Sequence, residues 1–181
     1  MRYTSSHIEE LASKGIAFLE NHKKGIVYLE CDGMNDLEIS LSVAPSKKIK
    51  GFLIDGNFCQ EDLSVEIVIV FNPDSERDLY WMNWSINEVL AHEICHYHQW
   101  LSGRLPKRGN RDLSPFKYYT QPHEVEAQIE GWKRVSGITG DSVERSAEIW
   151  FERNSIFHGM EEREWKKLIQ KVFFLRERLV L

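Results

Sequence analysis

The sequence predicts an α+β protein, with a small mixed or antiparallel sheet and an N-terminal helix in the first half and mainly helices after it. Two observations carry this. Between Gly25 and Phe71 the chain holds short runs rich in β-branched residues, separated by turn-forming ones. After Asp78 the pattern changes, and apolar residues recur every three or four positions. A length of 181 residues suits one domain, with no repeat or low-complexity segment. Within a single domain over 1–181 we distinguish a sheet-containing part (1–80), a pair of central helices (81–140) and C-terminal helices (141–181).

The elements follow in order. Ser5-Ser6 with Glu9 reads as a capping box for a first helix carrying Ile8, Leu11, Ile16, Phe18 and Leu19, and Gly25 ends it. Strands are expected over Gly25 to Cys31, Leu37 to Val43 and Ser64 to Phe71, with a further one around Gly51 to Ile54. The run from Ser64 to Phe71 is stopped by Asn72-Pro73-Asp74. Ser85 is a good N-cap for a helix to about Leu101, with Gly103 and Pro106 beyond it. Lys107 to Gln121 has loop composition. A helix opens near Pro122 and weakens at Gly137 and Gly140, and another runs from Asp141 or Ser142 through Arg153. The last, about Glu161 to Leu181, aligns Trp165, Leu168, Ile169, Val172, Leu175 and Leu179 on one stripe.

Composition excludes several classes. A hydrophobic fraction of 42% and a charged fraction of 28% belong to a globular chain, not a disordered one. A net charge of -5 argues against nucleic acid as a partner. The basic runs at Lys47 to Lys50 and Arg104 to Arg111 read as solvated loops. Three well-separated cysteines, Cys31, Cys59 and Cys95, form neither a disulfide framework nor a zinc ribbon. No apolar stretch is long enough to span a membrane, and the N-terminus has no signal-like core. The expectation is a reduced, cytoplasmic protein with no membrane association.

The informative segment is Ala91-His92-Glu93-Ile94-Cys95-His96-Tyr97, which contains His-Glu-x-x-His. On a helix, positions i and i+4 share a face, so the imidazoles of His92 and His96 can reach one ion. Glu93 then sits beside the metal without binding it, where a general base must be to take a proton from water. The two histidines lie at the edge of an apolar stripe made by Ile86, Val89, Leu90, Ile94, Tyr97 and Leu101. His98 and Cys95 point elsewhere, the first to solvent and the second into packing.

A catalytic zinc site needs a third protein ligand. Gln99 and Ser102 occupy the places where an extended motif would carry glycine and a third histidine, so that version is excluded. The helix after Pro122 supplies acids instead. Its stripe is Val125, Ile129 and Trp132; Glu126 borders it, and Glu124 points away by more than about 90°. Glu126 is therefore the expected third ligand, with Glu130 one turn on as a carboxylate for the second ring N–H of a ligating histidine. His123, Glu124 and Asp112 remain alternatives.

His92-Glu93-x-x-His96 with Glu126 and Glu130 some thirty residues on resembles the gluzincin branch of the zincin metallopeptidases. Glu124-x-Glu126-Ala127 is also similar to the small ImmA/IrrE-type peptidases and other phage and bacterial minimal zincins. The resemblance covers roughly Ser64 to Trp132. It departs where the ImmA/IrrE group has Asn-x-Phe-Ala and this chain has Gln128-Ile129-Glu130-Gly131, and no helix-turn-helix module is apparent. The resemblance implies a zincin-like fold, a Zn²⁺ cofactor, a protein or peptide substrate, and a strand before the active-site helix serving as the edge that aligns it. Tyr118 and Tyr119 are candidate phenols for stabilising a tetrahedral intermediate. The resulting expectation is a zinc metallopeptidase, a hydrolase. The alternative is a zinc-binding structural or interaction module without catalysis.

Overall fold

The computed structural model describes residues 2–31, 34, 36–76, 78–106 and 113–179, with the side chains of 155–158 and 179 outside the description. The expected α+β class is found: one helix, four strands, then five helices among the described residues. The chain divides into two compact units, Met1–His98 and Gln99–Leu181.

In the first unit, α1 (Ser5–Asn21) is followed by β1 (Gly25–Tyr28), β2 (Glu38–Pro45), β3 (Phe52–Cys59) and β4 (Ser64–Phe71), then by α2 (Leu79–Leu101), which runs just past its end. Thr4, not Ser5, caps α1: its backbone N–H donates to His7 Nδ1 at 3.1 Å, so His7 takes the place expected of Glu9. The sheet order is β1-β2-β4-β3, with β2 and β4 parallel and the outer pairs antiparallel. The strand preceding the His-Glu-x-x-His helix is therefore central, which corrects the expectation that it forms the edge. The reason is legible in Val65, Ile67, Ile69 and Phe71, all buried, with Val68 and Val70 partly so on the other face. A strand apolar on both faces belongs inside a sheet. The edge next to it is β3, whose glycine and polar positions suit that place.

Ile39, Leu41 and Val43 of β2 and the apolar positions of β4 build the core of this unit. One cross-strand row runs Leu41, Ile67, Gly56. At one end of it Gly15 of α1 lies against Leu41 and Ile86, and at the other Gly56 lies against Val89 and Glu93. The two glycines let α1 and β3 approach their neighbours closely where a side chain would hold them apart.

Helix α2 begins at Leu79, earlier than Ser85, because Asp78 Oδ1 accepts the Trp81 N–H at 3.2 Å. Its residues from Leu90 to Tyr97 are all buried. Burial on all sides of a helix calls for apolar residues, yet Glu88, His92, Glu93 and His96 lie in that stretch or beside it. Buried polar groups are the informative exceptions in a core. His98 is not simply solvent-facing as expected: its Nε2 accepts the Tyr3 N–H at 3.1 Å.

The second unit contains α3 (Pro115–Tyr119), α4 (Pro122–Thr139), α5 (Val143–His158) and α6 (Glu162–Leu179). Part of the expected loop is thus helical, set by Pro115 in the first turn. Gly140, in the left-handed conformation, stops α4, while Gly137 leaves it intact. Ser142 Oγ accepts the Arg145 N–H at 3.1 Å and caps α5. The core here is aromatic. Trp132 and Phe151 are fully buried, and Phe151 stacks on Trp165 with ring centroids 6.0 Å apart. Leu168 and Val172 of the predicted α6 stripe are buried beside them, whereas Leu179 lies outside the described side chains.

Candidate metal centre

The spacing of His92 and His96 does what an i, i+4 pair on a helix must do. Their Nε2 atoms face one another at 3.1 Å, with the rings nearly perpendicular and centroids 4.8 Å apart. Both residues are buried, at 8% and 7% exposure. Two ring nitrogens converging on one small volume can share a proton or a cation.

Glu93 is buried to a similar degree, and its carboxylate packs on the backbone of β3 at Gly56. Asp55 Oδ1 accepts the Gly56 N–H at 3.0 Å and holds that segment. The general-base candidate is thus fixed against an edge strand of the sheet, and not swinging in solvent.

On α4 the sequence expectation and the geometry part. Glu126 is ion-paired with Arg104, Oε2 to Nη1 at 2.6 Å, and also accepts from Gln99 Nε2 at 3.1 Å. Glu124 lies in the first turn of α4, where the helix dipole favours a carboxylate. Its side chain is buried, and His123 Nε2 lies 3.5 Å from its Oε1. The ligand atoms of His92, His96 and Glu124 all lie within 4.8 Å of one another, and this buried group could hold a metal ion. The carboxylate brought to the two imidazoles is Glu124; Glu126 is engaged elsewhere.

The other expected residues fall as follows. Glu130 is ion-paired with Lys133 at 2.6 Å and about half exposed. Tyr119 is buried, its ring edge-on to Trp150 and Phe151, as befits a core residue of the helical unit. Tyr118 is exposed. Asp112 lies outside the described residues. Two contributors went unread in the sequence. Gln99, fully buried, donates to the His123 carbonyl at 2.9 Å and ties down the start of α4 next to Glu124. Gly56 makes room for Glu93.

No protein-family model matches the chain, and neither a characterised protein nor a solved structure resembles it closely enough to count as a match. Among the described residues no helix is long and apolar enough to cross a membrane.

Proposed function

We propose that the protein is a zinc-dependent metallopeptidase, with His92, His96 and Glu124 as ligands and Glu93 as general base. The observation that carries this reading is the buried His-His-Glu group with a glutamate one residue after its first histidine. Two nitrogens bound to a tetrahedral zinc at about 2.0–2.1 Å stand about 3.3 Å apart, close to the 3.1 Å between the two Nε2 atoms. Two imidazoles and one carboxylate are also a donor set typical of hydrolytic zinc. When bound, the ion would supply a Lewis acid that acidifies water and polarises a carbonyl.

The chain's own residues do the rest. Glu93 takes the proton of the attacking water and returns it to the leaving amine. His123 beside Glu124 holds that carboxylate in place. β3 is an edge strand with Glu93 against it, so an extended peptide adding to its outer side would run past the general base. The burial of His92, His96 and Glu124 also suits a zinc kept purely for structure, which is the second reading.

One comparison separates them: zinc content and hydrolysis of an unfolded protein substrate by the wild type and Glu93→Gln. For a peptidase, both bind about one zinc per chain and the variant loses about 10²–10⁴-fold in rate. A zinc-loaded wild type that cleaves nothing in a broad peptide library leaves the structural reading.

A further inference from the structure

The helical unit contains a cavity of about 430 Å³ that the proposed chemistry does not use. Its size falls within the roughly 300–1,000 Å³ of small-ligand pockets. Val125 and Ile129 of α4 give it an apolar wall, and both are buried in the core of that helix. Charged residues complete the lining. Arg104 and Lys133 are each held by a carboxylate of the same lining, Glu126 and Glu130, at 2.6 Å. Arg176 comes in from α6, and among the described residues no carboxylate pairs with it. The lining therefore carries three side-chain cations against two carboxylates, and the uncompensated charge is a guanidinium in a lining that also holds apolar residues.

We infer that this cavity recognises a carboxylate borne on an apolar stem, as found on an acidic side chain or at the C-terminus of a peptide. A guanidinium pairs with carboxylate through two parallel hydrogen bonds, which a neutral amide cannot reproduce. The stem lies along the apolar lining, Pro122 and Ile129. The cavity also has a defined place relative to the metal ligand. His123 belongs to its lining and lies 3.5 Å from Glu124 Oε1. A peptide anchored here is held one residue along α4 from the group proposed to bind zinc. That the carboxylate belongs to a peptide rests on the peptidase reading; its recognition by Arg176 does not.

The test is binding, measured by fluorescence anisotropy on zinc-supplemented Glu93→Gln so that nothing is cleaved. Three labelled hexapeptide pools, apolar at the random positions, carry Glu with an amidated end, Gln with an amidated end, or Gln with a free carboxylate end. We expect either carboxylate pool to bind about tenfold more tightly than the neutral one. Preference for the Glu pool assigns a side chain, and preference for the free-acid pool assigns a chain end. R176Q in the same background should erase the preference, and R176K, which keeps the charge, should retain part of it. Equal binding of all three pools, no binding of any, or a preference that survives R176Q overturns the assignment. A preference that depends on Arg176 in a protein whose wild type hydrolyses nothing would sustain the pocket and sink the peptidase.

Discussion

Gly56 on β3 lies so close to Glu93 on α2 that a Cβ at position 56 would stand 2.9 Å from Glu93 Cγ and 2.4 Å from Val89 Cγ1. Neither distance is one that real carbon atoms keep, so a side chain there must push β3 and α2 apart or turn Glu93 away. Gly56→Ala should therefore do two things. Overpacking of this kind costs about 1–3 kcal/mol of stability, measurable as a lower urea midpoint. Hydrolysis should fall further than that loss explains, because the displaced group is the proposed general base, while zinc content stays near that of the wild type. Unchanged activity in a folded Gly56→Ala would mean that the position of Glu93 is not set by the strand.

The choice between two glutamates on one helix is open to direct measurement. Glu124→Ala and His96→Ala should each lower zinc content by about 10-fold or more at limiting zinc, since each removes one of the three proposed ligands. Glu126→Ala should keep its zinc and lose the partly exposed ion pair with Arg104 and the hydrogen bond from Gln99 Nε2, together about 1–2 kcal/mol. Mass spectrometry of the native proteins reads all three. If Glu126→Ala loses metal and Glu124→Ala does not, the ligand set proposed here is wrong.

That exchange of Glu124 for Glu126 marks the limit of what the sequence could tell. His92, Glu93 and His96 were legible because a fixed spacing on one helix determines which side chains meet. The α+β class was legible because apolar periodicity changes after Asp78. The carboxylate that joins the two histidines was read as Glu126, with Glu124 only an alternative, because the helix wheel was anchored on Val125, Ile129 and Trp132 as the single buried stripe. In the structure α4 buries a second stripe, Glu124, Gln128, Gly131 and Val135, in which only Val135 gives an apolar signal. Sheet order escaped for a related reason. Two buried faces on β4 say that it is central, but only pairing shows that the glycine-containing β3 is one of the strands beside it.

Metal should contribute to folding as well as to chemistry. An ion bound only by the native state stabilises it by RT ln(1 + [L]/Kd), about 4 kcal/mol at a thousandfold excess over Kd. Stripping the protein with a chelator should lower its melting temperature by several degrees, and added zinc should restore it. Magnesium, a harder ion that favours six oxygen ligands, should not. Glu124→Ala should melt at the same temperature with and without zinc. A wild type indifferent to both chelator and zinc would count against a bound ion of any kind at this group.

The sheet unit carries a separate titratable device at its N-terminus. The Tyr3 phenol is buried, its ring edge-on to Tyr97 at 6.0 Å, and desolvation, with smaller contributions from Cys31, Tyr97 and Asp36, raises its pKa above the ordinary value near 10. The sign of the consequence is fixed. Between the ordinary and the raised value the unfolded chain releases this proton and the folded one keeps it, so stability is whole below about pH 10 and falls as pH rises beyond it. One such group can contribute at most about 1.4 kcal/mol per pH unit. Tyr3→Phe keeps the ring, lacks the proton, and should flatten the decline in unfolding free energy between about pH 10 and 11.5, followed by urea titration at each pH. Tyr97, whose pKa burial also raises, leaves a residual slope in the variant. Identical slopes in the two proteins would show that the Tyr3 phenol ionises equally easily in both states, and that the N-terminal segment does not shield it.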